Sequence, residues 1–266
     1  MGHHATGRRL AEGRVAVTKA LELDDQLAEA HLDLAALKMV YYLDWVSAER
    51  EAKRAIELNP GFDEIHYAYS FFLLVMRRFR EAVEEGERAL ACNPFSLRIS
   101  QHLGYALYCA RSYDKAVRQY QKAIALDPND ASVREALGDT YERKGQYQEA
   151  VEQWTKAMLL ANDAELVTTL GAADTKEGLD RGVRAVAAKR LERFECNREG
   201  GAYVLAIKFA REHLRAGHKE EALKWLTLAC EERNVYSLLI ASDPVYDLLR
   251  GDQRFTKLLR RMKLDG

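Results

Sequence analysis

Proline and glycine are scarce, with 4 and 16 among 266 residues. That excludes a Pro/Gly-rich disordered chain and disfavours an all-β fold, whose many turns draw on both. Cysteine is scarce too: Cys92, Cys109, Cys196 and Cys230 contain no CxxC pair. A disulfide framework is therefore not expected, and a reducing, cytoplasmic compartment is. No run of 18 apolar residues occurs, so no membrane-spanning helix is expected. The start, Met1-Gly2-His3-His4, lacks the apolar segment and small-residue cleavage site of a signal peptide. Charge of one sign is lacking as well. Forty Lys+Arg stand against 41 Asp+Glu, a formal net charge of -1. No basic field exists to collect nucleic acid or anionic lipid, so neither is expected as a partner.

What is present is helical material on a fixed period. Hydrophobic residues make up 48% and charged residues 30%, enough for a sizeable core under a solvated helix surface, in one large domain or two small ones. Five blocks align: Ala20-Leu21-Glu22-Leu23-Asp24, Ala55-Ile56-Glu57-Leu58-Asn59-Pro60, Ala89-Leu90-Ala91-Cys92-Asn93-Pro94, Ala123-Ile124-Ala125-Leu126-Asp127-Pro128 and Ala157-Met158-Leu159-Leu160-Ala161-Asn162. Their leading alanines lie 35, 34, 34 and 34 residues apart. Around them Leu103-Gly104, Leu107, Ala116, Tyr120, Ala123 and Pro128 fill one template, and Leu137-Gly138, Tyr141, Gly145, Ala150, Trp154 and Ala157 fill it in the next repeat. His66, Tyr69-Ser70, Ala82, Gly86, Ala89 and Pro94 form a looser copy.

On these residues the chain resembles a tetratricopeptide-repeat protein over nearly its whole length. The resemblance implies an all-α fold, a right-handed superhelical solenoid of antiparallel helix pairs. Small residues (Gly104, Ala116, Ala123; Gly138, Ala150, Ala157) mark the close helix crossings, and Tyr120, Tyr141 and Trp154 fill the space between. Asn-Pro or Asp-Pro ends each second helix, because proline cannot continue it. One pair cannot bury its own apolar stripe, so neighbours must stack. The expected helices are 9–23, 27–41, 45–58, 61–76, 79–92, 95–111, 113–126, 130–144, 147–161, 164–177, 179–197, 201–216 and 218–233, with shorter ones at 236–241, 244–250 and 252–263.

The departures from the repeat suggest the organisation. The first helix matches the second helix of a repeat without its partner: either the N-terminus caps the stack or the chain is cut from a longer protein, and the second reading is favoured. The 35-residue step places one extra residue near Tyr41-Tyr42-Leu43-Asp44-Trp45 and predicts an enlarged turn, with Asp44 as N-cap. Leu170-Gly171 and Gly178 fit a fifth repeat, but Gly182-Val183 replaces its Ala-centred crossing, and Asn197-Arg198-Glu199-Gly200-Gly201 reads as a joint. A last repeat follows through Phe209-Ala210, Gly217, Ala222, Leu226 and Ala229. The expected segments are thus 1–162, a leading helix plus about four repeats; 163–200, a degenerate repeat and joint; and 201–266, a last repeat plus capping helices. Asp243-Pro244 and Asp252 are the helix starts of that cap.

Chemistry is harder to find. No Walker A, GxGxxG, HExxH or GxSxG motif is present. His31 and His66 read as core-edge imidazoles with one polar contact, and His213 with His218 has a poor spacing for a metal. Cys92, Cys109 and Cys230 read as small buried hydrophobes. Glu84-Glu85, Glu220-Glu221 and Glu231-Glu232 read as solvated-face charges, since adjacent helical residues point about 100° apart. No catalytic residue, metal or cofactor is expected, and an enzyme is the remotest of the alternatives.

Asp44-Trp45, Ala48-Glu49 and Arg54 through Gly61 carry a narrower resemblance, together with Leu223, Trp225-Leu226, Ala229, Glu231-Glu232-Arg233, Asp243-Pro244, Asp247 through Arg250, Asp252, Phe255 and Leu258 through Met262. These blocks are similar to the repeat-bearing C-terminal halves of bacterial multidomain regulators of the winged-helix, adenylate-cyclase or serine/threonine-kinase type. That resemblance implies a regulatory or scaffolding interaction module and supplies no catalytic residue. In the tetratricopeptide architecture the first helix of each pair lines the inner surface. Its inward positions are Glu64, Tyr67, Phe71 and Leu74, then Arg98, Gln101, Tyr105 and Tyr108, then Ser132, Glu135, Asp139 and Glu142. An aromatic strip running into an acidic one is expected to take a peptide or partner helix, unless its aromatics pack on one another. Leu32 and Ala36 stand where a carboxylate clamp for chaperone tails needs Lys and Asn, so that role is disfavoured. Self-association through the groove or an open end is the alternative. The double substitution Tyr67→Ala with Tyr105→Ala is expected to weaken partner binding while leaving helical content intact, as read by titration and circular dichroism.

Overall fold

The chain is described here from a computed structural model covering residues 13, 15–171 and 175–264. The outer part of the expected helix 9–23 and residues 172–174 of the expected helix 164–177 lie outside the described residues. Among the described residues there is no strand, and the helices pair antiparallel as the periodicity requires. Two compact units divide the chain, residues 1–94 and residues 95–266.

In the first unit, residues 15–23 form α1, followed by α2 (Ala28–Leu37), α3 (Trp45–Leu58), α4 (Asp63–Val75) and α5 (Phe79–Cys92). Helix α2 packs on α3, and α4 on α5. The face of α3 shown to its neighbours is Ala48, Ala52 and Ala55, all buried. Spacings of four and three put these methyls on one stripe, which lets the adjoining backbones approach. Ala28, Ala55 and Ile65 form a core with Leu32, Ile56, Leu58 and Phe62 around it. The extra residue of the 35-residue step does not enlarge the turn. It is absorbed as a π-helical segment, Lys38–Tyr42, at the end of α2, since a single added residue widens i→i+4 bonding to i→i+5. Leu43 then takes a left-handed φ of 49°, and Asp44 caps α3 by accepting from the Ser47 amide at 3.1 Å.

In the second unit the helices are α6 (Leu97–Cys109), α7 (Tyr113–Leu126), α8 (Ala131–Lys144), α9 (Tyr147–Leu160), α10 (Ala164–Leu170), α11 (Lys176–Glu199), α12 (Ala206–Ala216) and α13 (Lys219–Glu231). Two 3₁₀ segments, Val235–Ala241 and Pro244–Leu249, precede α14 (Gln253–Arg261). The repeat-based divisions at 162/163 and 200/201 fall inside this unit, where α9 packs on α10 and α11 on α12. Small-on-large crossings hold its pairs together. A methyl group on Gly104 would sit 2.6 Å from the Tyr120 ring, and one on Gly138 2.5 Å from the Trp154 indole. Around Trp154 gather Ala150, Met158, Leu166, Leu170, Leu179 and Val186.

The degenerate repeat differs from expectation in one respect that matters later. Its first helix, α10, has 7 residues, whereas α8 has 14. The expected 164–177 helix stops at Leu170, and Gly171 turns the chain at φ 66°. Gly182, read as a break in the crossing, is the crossing: its Cβ position lies 2.3 Å from the Leu170 carbonyl oxygen. The stretch 197–201 is helical through Glu199, so the joint shifts to 200–205. Asp243 and Asp252 cap as expected, accepting from the Val245 amide at 2.9 Å and the Arg254 amide at 2.8 Å, though the two short helices are 3₁₀ rather than α.

Gly182→Ala should lower the urea midpoint. Helix propensity alone would favour alanine by about 1 kcal/mol, but overlap with a backbone carbonyl cannot be relieved by a rotamer change and costs about 1–3 kcal/mol more than that gain. Gly251→Ala, whose Cβ meets nothing within 4 Å, should leave the midpoint within about 0.5 kcal/mol; equal midpoints for the two variants would contradict the crossing.

Candidate functional site

The inner wall of the first unit is divided along α4. Ile65, His66, Tyr69, Ser70, Phe72 and Leu73 are buried on one side. Tyr69 stacks on Phe72 at 6.0 Å and donates to Glu49 Oε1 at 3.0 Å. Burial alone would raise the Glu49 carboxyl, but Lys53, Arg78 and the Tyr69 hydroxyl together draw it down to about 2. Of the expected groove residues, Leu74 is fully buried, whereas Tyr67 and Phe71 are half-buried. The aromatic content of α4 therefore splits, with Tyr69 and Phe72 as core and Tyr67 and Phe71 on the accessible side.

Beneath that wall lies a polar layer that sequence reasoning missed. His66 Nδ1 is 2.6 Å from Glu85 Oε2, and its Nε2 is 2.9 Å from the Pro60 carbonyl. His31 repeats the arrangement with Glu51 at 2.8 Å and the Asp25 carbonyl at 3.1 Å. In the second unit the same register holds Ser100 and Gln119, at 2.8 Å. Each imidazole thus has two polar contacts rather than one. Glu85 is a buried partner and not, like Glu84, a solvated charge. The signal was present: Glu51, Glu85 and Gln119 are spaced by 34 residues on the alanine-bearing faces of the second helices. Cys109 and Cys230 are buried as expected, while Cys92 is exposed, because it falls on the outward side of the last turn of α5.

In the second unit the inner wall is engaged by the chain's own C-terminal half. Tyr105 donates to Asp243 Oδ2 at 3.0 Å, across 138 residues of sequence. Tyr108 is buried, stacked on Tyr105 at 6.2 Å and tilted against Tyr113 at 5.8 Å. Arg111, turned outward by a left-handed φ of 59°, forks onto Asp247 at 2.8 and 2.9 Å. Gln101 is occupied locally, donating to Ser132 Oγ at 2.9 Å. Glu142 is half-buried, and burial raises its carboxyl above the ordinary range.

The acidic strip is paired. Asp139, 5% exposed, holds Arg211 and, at 2.5 Å, Arg215 of α12, and accepts from the Trp154 indole at 3.0 Å. Arg190 of α11 binds Glu135 at 2.7 Å and Glu212 at 3.3 Å. Burial would raise Glu135, but Arg190, Arg215 and Arg211 hold it down at about 2. Arg211 and Arg215 lie one turn apart, so both reach the same carboxylate from one face. Among the described residues, no group of three or more His, Cys, Asp or Glu is placed to hold a metal ion. Open depressions of about 610 Å³ along α3 and about 270 Å³ along α11 are lined mostly by charged side chains.

Stacked antiparallel pairs with small-on-large crossings and a patterned inner wall define a helical-repeat protein. Residues 104–145 match a TPR repeat family model, and residues 131–163 match a Tetratricopeptide repeat model. The fold is similar to that of MamA, with 23% identity, a TM-score of 0.52, and coverage of 62% of this chain and 98% of MamA. It is likewise similar to YrrB, a TPR protein with an unusual peptide-binding site, with 22% identity, a TM-score of 0.51, and coverage of 62% and 84%. No curated protein matches the sequence significantly.

Two outcomes follow from the paired carboxylates. Asp139→Ala leaves two guanidinium groups inside the wall without their carboxylate and should cost about 3–5 kcal/mol in a denaturant titration. For Glu135, a folded value of about 2 lies below the ordinary unfolded value of about 4.3. Its stabilising contribution is complete above the unfolded value and is lost as pH falls toward about 2. Glu135→Gln should therefore flatten the loss of stability between about pH 5 and pH 2 relative to wild type.

Proposed function

We propose that the chain is a non-enzymatic protein–protein interaction module that takes a peptide or partner helix on the inner wall of α4, through Tyr67 and Phe71. The observation that carries this is the contrast within one helix: Leu74, Tyr69 and Phe72 are buried in the core, while Tyr67 and Phe71 are only half-buried. Rigid aromatics rooted in a packed helix lose little conformational entropy on binding, which suits them as anchors. YrrB, a TPR protein of similar fold with an unusual peptide-binding site, supports the reading. The resemblance of the Asp44–Gly61 and Leu223–Met262 blocks to bacterial regulators supports placing the module in the regulatory part of such a protein, in the cytoplasm. The near-neutral balance of charge supports a protein partner rather than nucleic acid or a membrane surface. Among the described residues no helix is long and apolar enough to cross a membrane.

Self-association is favoured by a separate observation, the exposure of Leu23 and Val46 at 80% and 81%. Exposed aliphatics on neighbouring elements can pair with a second copy. A sedimentation series would show a concentration-dependent mass in that case, and a constant monomer removes it.

The test is selection of peptides from a displayed library on the full chain, followed by titration of the selected peptide. Tyr67→Ala with Phe71→Ala should weaken binding at least about tenfold, with unchanged helical content. Undiminished binding by a folded double variant would overturn the assignment of this wall.

A further inference from the structure

We propose that the inner wall of the first unit takes a partner segment carrying lysine or arginine beside an apolar anchor, with Glu29 and Asp33 of α2 holding the cations and Phe71 of α4 the anchor. This names the partner's chemistry for the wall assigned above and rests on that assignment. The first support is register. His31 and His66 each bond the carbonyl six residues back, on Asp25 and Pro60, and each turns its other nitrogen to a carboxylate of the following helix, Glu51 in α3 and Glu85 in α5. The two imidazoles therefore mark the side of α2 and of α4 that faces the second helix of each pair. At about 100° per residue, Glu29 and Asp33 on α2 and Glu64 and Phe71 on α4 lie about 140–200° around from those imidazoles, with Tyr67 at about 100°. Helices α2 and α4 are in contact, so these side chains share one wall. Glu29 and Asp33 are exposed, and Glu64, Tyr67 and Phe71 are half-buried.

The second support is the distribution of charge. The chain as a whole is near neutral, yet α2 and α4 carry Glu29, Asp33, Asp63 and Glu64 and no Lys or Arg. Cations of this unit stand on the outer helices, Arg50, Lys53 and Arg54 on α3 and Arg80 and Arg88 on α5. Lys38, which follows α2, is turned to Glu51 at 2.7 Å. Glu29 and Asp33 lie one turn apart on the same face, where like charges repel. Burial, and then Glu29, pushes the Asp33 carboxyl above its ordinary range, and among the described residues neither carboxylate meets a cation. A cation set against the pair would relieve that repulsion. The aromatic rings alongside add a face for the same cation and a contact surface for its apolar neighbour. An acidic segment would meet like charge on this wall, so charge selects the partner as well as strengthening its hold.

The probes are two fluorescent helical peptides with the same leucine and phenylalanine face, one bearing lysines at its remaining positions and the other glutamines, titrated against the full chain. The lysine peptide should bind at least about tenfold more tightly, and the preference should shrink between about 0.05 M and about 0.5 M salt. Glu29→Gln with Asp33→Asn, two exposed and nearly isosteric changes, should remove the preference while leaving helical content and the affinity for the glutamine peptide unchanged. Glu84→Gln with Glu87→Gln, on the outer helix α5, should leave the preference in place. Equal affinity for the two peptides, a preference that survives the α2 variant, or one that the α5 variant lowers equally, would overturn the proposal. The two failures are distinguishable. A lost preference with the Tyr67 and Phe71 effect intact on the glutamine peptide removes only the charge recognition. Binding of both peptides undiminished by Tyr67→Ala with Phe71→Ala, or no binding of either to the wild-type chain, removes the wall and this inference with it.

Discussion

The second unit is organised around a buried carboxylate. Asp139 sits on the inner face of α8, in a helix whose other inner faces are set by the repeat, and an unpaired charge at that depth would cost several kcal/mol. Cations must therefore come to it, and those that do are carried by α12. Helix α10 is half the length of α8, and α11 contributes Arg190 to the same strip at Glu135. One shortened helix thus converts an inner wall into a surface engaged by its own chain. The indole of Trp154, fixed under Gly138, supplies a further hydrogen bond that orients the carboxylate.

The first unit follows the same construction to a different result. Its small-residue stripe on α3 and the buried layer of His31–Glu51 and His66–Glu85 set the spacing of the pairs. Each imidazole faces a carboxylate on one nitrogen and a backbone carbonyl on the other, which ties separate segments of the chain together. On that base α4 turns two aromatics into the core and leaves two accessible. Function, on this account, resides in which inner side chains the repeat leaves partly accessible.

Much of the fold was legible because the period is rigid. Gly104 with Tyr120 and Gly138 with Trp154 are pairings forced by close helix approach, and the Asn-Pro and Asp-Pro ends are forced by proline chemistry, so both can be read from spacing. The absorption of the extra residue as a π segment at Lys38–Tyr42 was not legible, since a turn and a widened helix end accommodate the same insertion. Of the groove, spacing identified which residues face inward but not what faces them. Tyr105 and Asp139 meet Asp243, Arg211 and Arg215 across 72 to 138 residues, and no local pattern encodes such a meeting. The truncated α10, which allows it, was hidden because Ala164–Leu170 begins like every other first helix.

The central claim is that inner-wall side chains left partly accessible in the folded chain are the surface offered to another macromolecule. Hydrogen exchange on the full chain, with and without a binding peptide selected on it, tests this most directly. The account predicts added protection centred on α2 and α4, with the outer helices α3 and α5 unchanged. Protection confined to α3 and α5, with α4 unaffected, would contradict it.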